Sequence, residues 1–278
     1  MSKLKIMVAC HKKADVYSNE VYLPVHVGKD LHKDVNLGFV GDNTGDNISC
    51  KNPYYSELTA QYWGWKNLDC EYIGLCHYRR YFATEYTESN IDEIMSDCDI
   101  ILASSVAYPK SIFTRWENDL VNEDIHIFYQ YMIHRFPSQK KDIDDFFIKN
   151  NRYNPANMFL CRKSLFDEFA QWQFSILFDL EKYIITSDYS RPRRIFGYLS
   201  EGLLPFYMKM KGLRIKEEPL VPMIGNNEIL LKTSFKNKLK NWLYFERKKE
   251  QVEYILPDDI RISLINAGVF EKLKKNYG

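Results

Sequence analysis

Tyr72-Ile-Gly-Leu-Cys-His-Tyr-Arg-Arg-Tyr-Phe82 runs through five uncharged residues and then turns abruptly basic at His77, Arg79 and Arg80. A short uncharged run of this kind reads as a strand covered on both faces, the pattern of a mostly parallel sheet. Working outward, Lys5–Ala9 and Leu37–Val40 repeat it on the N-terminal side, and Ile100–Ala103 and Asn157–Cys161 on the C-terminal side. Helical periodicities lie between them. Tyr55–Asn67 carries Leu58, Tyr62 and Trp65 on one stripe, with Ser56 as its N-cap. Asn90–Asp97 reads as a short helix, and Trp116–Phe136 as a longer one stopped by Pro137. Ser164 and Asp167 open the clearest helix, whose stripe is Leu165, Phe169, Trp172, Ile176 and Leu180. A last helix, Arg194–Lys211, is expected to be interrupted by Pro205 and ended by Gly212, with Leu213–Val221 extended. The alternation predicts an α/β fold over residues 1–230, a single domain whose mostly parallel central sheet is flanked by helices.

In open α/β sheets, ligands bind beyond the carboxyl ends of the strands. His11 and Lys12 follow the first strand, Gly41–Asn47 the second and His77–Tyr81 the third, so all three are expected on one edge. Asp97-Cys98-Asp99 precedes its strand and should face the opposite edge, which makes it a poor metal-binding pair. Adjacent arginines are costly to bury without anionic partners, and their forks match phosphate oxygens. Ion pairing of Arg79 and Arg80 with nearby carboxylates is the competing reading. His77 either orients a substrate hydroxyl or is a satisfied core histidine. Asp42, Asn43, Asp46 and Asn47 could hold a ribose, a sugar hydroxyl or a hard cation, although turn formers alone would give a plain turn. That loop is no EF-hand and no Walker loop. Arg194, Gly197 and Glu201 fall roughly on one helical face, and a glycine inside a helix points to close approach by something. Glu201 lies among Leu199, Leu203, Leu204 and Phe206, a setting that suits a general base, unless it simply pairs with an arginine. No Ser-His-Asp order, zinc spacing or haem signature is present.

The 278 residues are ample for a buried core, and 45% apolar with 27% charged content excludes wholesale disorder. Lys and Arg number 38 against 37 Asp and Glu, a net charge of +1 that argues against a nucleic-acid partner. The 20 Tyr, 17 Phe and 5 Trp pack cores but also stack on sugars, so a carbohydrate ligand is permitted. Six cysteines without a C-x-x-C pair read as buried free thiols of a cytoplasmic protein. The opening apolar run ends at His11-Lys12-Lys13, too short for a signal peptide, and no run reaches the length of a membrane span. Residues 231–278 differ from the rest. Lys232–Glu250 interleaves seven basic residues with Phe235, Leu239, Trp242, Leu243, Tyr244 and Phe245. Such a segment can lie on an anionic membrane, or pack on the domain as a solvated helix.

Several of these stretches together resemble a known family. They are Lys5-Ile-Met-Val-Ala-Cys-His-Lys12, Tyr22-Leu-Pro-Val-His-Val-Gly28, Gly41-Asp-Asn-Thr-Gly-Asp-Asn-Ile-Ser49, Glu57-Leu-Thr59 and Tyr62-Trp-Gly-Trp-Lys-Asn67. The basic stretch at 72–82, Asn157-Met-Phe-Leu160 and Arg194-Ile-Phe-Gly-Tyr-Leu-Ser-Glu201 complete the set, so the similarity covers roughly residues 4 to 222. The family is bacterial, occurs in capsular and exopolysaccharide biosynthesis, and is regarded as one of glycosyltransferases, some of them galactofuranosyltransferases.

The resemblance implies a GT-A-like fold, a UDP-sugar donor and a lipid-linked or oligosaccharide acceptor; the basic tail, read from its own residues, fits a lipid-borne acceptor with peripheral contact at the inner face of the plasma membrane. The resemblance further implies that Arg79, Arg80 and Lys12 stabilise the departing diphosphate. His11, Asp42, Asn43, Asp46, Asn47 and Arg194 would hold the donor, and His77 would assist at the reacting centre. Glu201 would be the base, with Asp188 in reserve, giving inversion. Trp63, Trp65 and Trp172 are candidates to stack on sugar rings. Two departures stand out. Gly202 follows Ser-Glu where relatives often carry Arg, and the strand end that usually bears Asp-x-Asp for a metal carries His77-Tyr78-Arg79. Arginine in place of metal implies no cofactor, with Mn²⁺ or Mg²⁺ on the diphosphate as the open alternative. A phosphate-transferring enzyme and a non-catalytic nucleotide or glycan-binding module are the rival readings.

Overall fold

A computed structural model describes residues 2–224, 227–228 and 253–278. Its strands are Ser2–Cys10 (β1), Tyr22–His26 (β2), Val40–Gly41 (β3), Cys70–His77 (β4), Arg80–Phe82 (β5), Ile100–Ala103 (β6), Val106–Ala107 (β7), Arg152–Tyr153 (β8), Phe159–Arg162 (β9), Ile215–Glu218 (β10), Leu220–Ile224 (β11) and Asn227–Glu228 (β12). The main sheet has the order β10-β6-β9-β4-β1-β2-β3. β1 pairs in parallel with β2 and β4, β2 with β3, and β6 with β10. β9 alone on this path is reversed, antiparallel to both β4 and β6. The expected mostly parallel α/β sheet is therefore present. Burial explains why β1 is central: Leu4, Ile6, Met7, Val8 and Cys10 are fully enclosed, as a strand flanked on both faces requires.

The chain divides into two compact units. The first comprises Met1–Ser105, Asn154–Gln173 and Phe196–Lys232, and the second Val106–Tyr153, Phe174–Ile195 and Thr233–Gly278. The first holds the main sheet, the helices Leu58–Asn67 and Ile91–Ser96, the start of Lys163–Leu180 and nearly all of Ile195–Met210. The second is largely helical, with Ile112–Asp119, Asn122–Arg135, Asp258–Asn266 and Val269–Tyr277 around an aromatic core that includes Trp116, Phe128 and Phe147. In it Tyr254 stacks on Tyr129 with centroids 3.8 Å apart, and its hydroxyl lies 2.9 Å from His126 Nδ1.

Several sequence expectations shift. β2 escaped notice because Pro24 sits inside it and a proline demotes a run as a strand. Of Leu37–Val40 only Val40 is strand. The expected helix at 55–67 breaks at Ser56, whose φ of 54° and ψ of −129° no helix accommodates, so Ser56 is not its side-chain cap. The expected helix at 116–136 is two helices. Ser111 Oγ accepts from Thr114 N at 3.1 Å to cap the first, and extended Leu120 and Val121 separate them. Pro205 does not interrupt its helix, which runs to Met210 before Gly212 turns left-handed. All six cysteines are free thiols, with Cys50 exposed, and burial pushes the Cys76 thiol up to about 12. The basic segment 232–250 lies outside the described residues.

Candidate active site

Strand register assembles one edge of the first unit. Ala9 pairs with His77, Cys10 with His26, and His26 with Gly41, so His11-Lys12, the loop from Asp42 and the turn after His77 leave the sheet side by side. Asp99, at the start of β6, is engaged by the Arg214 fork at 2.8 Å, and these bonds hold its carboxyl below the usual carboxylate range. Asp99 is thus held in an ion pair with Arg214.

His77 pairs with Arg80 across a β4–β5 hairpin, leaving Tyr78 and Arg79 as a two-residue turn. The Tyr78 ring is buried, meets the His11 ring edge-on at 5.3 Å and carries the Arg79 guanidinium 5.0 Å above its centroid. Lys12, Arg79 and Arg80 are exposed, and among the described residues none of the three has an ion-pair partner. The competing reading, structural pairing with nearby carboxylates, finds no partner there. His77 Nε2 lies 2.7 Å from the Ala156 carbonyl. A carbonyl only accepts, so Nε2 carries the hydrogen, which leaves Nδ1 as the acceptor of the neutral ring.

The acidic loop is largely satisfied from within. Asp42 is fully buried, and its carboxylate accepts from Gly28 N at 2.8 Å, Lys29 N at 3.1 Å and the Ser49 hydroxyl. Asn43 Nδ2 donates to Asp30 Oδ1, Asn47 Nδ2 to the Gly45 carbonyl, and Tyr62 Oη to Asp46 Oδ1. Gly45 has φ of 59°, and a Cβ there would fall 1.9 Å from Asn67 Oδ1. Trp63 is buried with its indole N–H on Thr44 Oγ1, which makes it core and loop anchor; Trp65 and Trp172 are half-buried.

Beside this edge, the backbone is strained at three non-glycine residues: Ser56 (φ 54°), Ala156 (φ 74°) and Asn157 (φ 52°). Asn157 is buried and its amide is a hub. Nδ2 donates to Glu57 Oε1 at 2.7 Å and to the Gly197 carbonyl at 3.1 Å, while Oδ1 accepts from Ser200 Oγ at 2.7 Å. Gln173 donates to Ser200 and accepts from Gln61 at 2.7 Å, which extends the network into the core. The neighbour that closely approaches Gly197 is Ser56, at an ordinary 3.4 Å from a Cβ built there. Glu201 is half-buried one residue beyond Ser200. Arg194 precedes its helix and, with Asp188, belongs to the second unit. Asp188 is exposed and lies 3.4 Å from Arg193. Sequence reading gave no role to Glu57 or Asn157, although both fall inside the quoted motifs. Asn157 after Asn-Pro-Ala, two residues before β9, was the available signal, because Asn tolerates left-handed backbone.

A metal on the donor diphosphate would need carboxylates at the end of β4. That turn supplies His77, Tyr78, Arg79 and Arg80, while Asp42 is sealed by its own donors. Among the described residues no group of three His, Cys, Asp or Glu side chains is gathered for a metal. The turn after β4 itself therefore offers no carboxylate to such a metal.

The model of the family described as a domain of unknown function, DUF4422, matches residues 5–212, and the chain belongs to that family. No curated protein matches it. Among solved structures it is similar to the apo form of WbbM, a bifunctional glycosyltransferase, with a TM-score of 0.72 and 29% identity over 82% of this chain. The match spans 46% of the WbbM chain, so this chain corresponds to less than half of that protein. The likeness places the fold in the GT-A-like class.

Proposed function

We propose that this chain transfers a sugar, galactofuranose or another hexose, from a UDP-sugar to a hydroxyl of a lipid-linked or oligosaccharide acceptor in bacterial surface polysaccharide synthesis. The observation that carries the reading is Lys12, Arg79 and Arg80 standing at the carboxyl edge without carboxylate partners among the described residues. The acceptor oxygen attacks the anomeric carbon from the face opposite the diphosphate, so the configuration inverts. The bond to the diphosphate oxygen breaks, and UDP leaves with the electron pair. Charge builds on the leaving oxygen, where guanidinium forks stabilise it more than in the ground state. Glu201 takes the acceptor proton, and His77 offers Nδ1 to a substrate hydroxyl. Asp42 acts indirectly, by shaping the loop that presents Asn43, Asp46 and Asn47. His11 completes the donor contacts.

The test is thermal unfolding with UDP, first in EDTA and then with Mn²⁺. A rise in Tm in EDTA, abolished by Arg79→Ala together with Arg80→Ala, is expected. A rise only with Mn²⁺ would keep sugar transfer but reject arginine as the metal's substitute. No rise with UDP or any other nucleotide would reject the reading.

A further inference from the structure

We infer that Glu57 accepts a hydroxyl of the donor sugar and so selects which sugar is transferred; this rests on the glycosyl-transfer reading above. Glu57 is only 8% exposed, yet among the described residues no cation pairs with it. Its sole side-chain partner there is the neutral amide of Asn157, on Oε1. The second oxygen takes no hydrogen bond from any described residue. It is also not one of the sealed polar atoms lacking a partner, which are His26 Nε2, Tyr72 Oη, Tyr78 Oη, Tyr86 Oη, Trp116 Nε1 and Asp124 Oδ2. That oxygen therefore opens on solvent. A nearly buried carboxylate with one oxygen anchored and one open is short of a donor, and a sugar hydroxyl supplies one without a competing charge.

Position argues the same way. His77 Nε2 donates to Ala156 O, the next residue is Asn157, and Asn157 Nδ2 donates to Glu57. One peptide link and two hydrogen bonds thus join Glu57 to the turn that bears Arg79. A sugar attached to a diphosphate held at that turn reaches the same neighbourhood. The dipole of the helix Leu58–Asn67 would favour a carboxylate at its start for stability alone. It does not account for the neighbouring strain. Ser56, Ala156 and Asn157 each hold left-handed backbone, at a cost of order 1–3 kcal/mol apiece, and together they fix the two sides of the Glu57–Asn157 bond.

Glu57→Gln keeps an acceptor for Asn157 and removes the charge. Thermal shifts would be measured for the intact protein with UDP and with UDP-galactofuranose, UDP-galactose, UDP-glucose and UDP-N-acetylglucosamine. The wild type is expected to gain more from one UDP-sugar than from UDP. Glu57→Gln should retain the UDP shift and bind that UDP-sugar roughly tenfold or more weakly. An unchanged sugar increment in Glu57→Gln overturns the inference, as does a wild type for which no UDP-sugar exceeds UDP. A wild type that responds to no nucleotide rejects the underlying reading instead. If Glu57→Gln does not fold, Glu57→Asp serves, because its shorter side chain cannot reach both Asn157 and the sugar.

Discussion

Asp124 shows what a carboxylate costs when neither ligand nor cation meets it. It lies in the first turn of Asn122–Arg135, is 3% exposed, and its Oδ2 has no hydrogen-bond partner among the described residues. Burial, and secondarily Glu123, push its pKa up to about 7. Unfolded, it titrates near about 3.9. Between those values the folded state holds a proton that the unfolded chain has released. The stability linked to Asp124 is therefore complete below about pH 4 and is lost as the pH rises through about 7. Asp124→Asn should flatten that decline, gaining on the order of 2–4 kcal/mol relative to wild type between pH 5 and 8. Denaturant titrations of both proteins across this range would check it, and parallel declines would refute the assignment. Residue by residue, sequence reading did well where chemistry is local. Arg79, Arg80 and Lys12 stand where strand order placed them. It overlooked Glu57 and Asn157, whose meaning comes from a bond between residues a hundred positions apart.

At the scale of elements, the segment from Gly41 to Asn47 behaves as a folded unit pinned to the helix Leu58–Asn67. Thr44 takes the Trp63 indole, Asp46 takes Tyr62, and the Asp46 carbonyl takes Asn67 Nδ2. Gly45→Ala sets a Cβ against Asn67 and forces a side chain onto φ of 59°. The expected cost is more than about 1 kcal/mol, read as a lower Tm, with weaker UDP binding only if the loop touches the donor. A Tm equal to wild type would mean that Asn67 moves aside freely. Apolar periodicity located most helices and strands of the sheet. It failed where a single backbone torsion decides the matter, as at Ser56, and where helices meet end to end without proline or glycine, as at Leu120 and Val121.

For the whole molecule, alternation of strands and helices was enough to read the α/β class and to bring His11-Lys12, the loop from Asp42 and the turn after His77 to one edge. The reversal of β9 was not readable, because a short buried strand has the same composition in either direction. The split into two units was hidden as well, since each is assembled from three separated stretches of chain. Among the described residues no helix is long and apolar enough to cross a membrane. From its composition alone, we propose that the basic aromatic segment 232–250 attaches to an anionic membrane surface. The full chain should then sediment with vesicles containing an anionic phospholipid, less so as salt rises, and hardly at all with zwitterionic vesicles. Equal binding to both lipids, or none to either, would discard the attachment.

The enclosure of Asp42 bears on how a genetic screen of this protein would read. Its carboxylate closes Gly28, Lys29 and Ser49 into one knot beneath the loop, so replacing it loosens a support that the exposed loop residues share. On the proposed function, an Asp42→Ala strain should make polysaccharide in the cold and fail in the heat. An Arg79→Ala strain should be defective at every temperature.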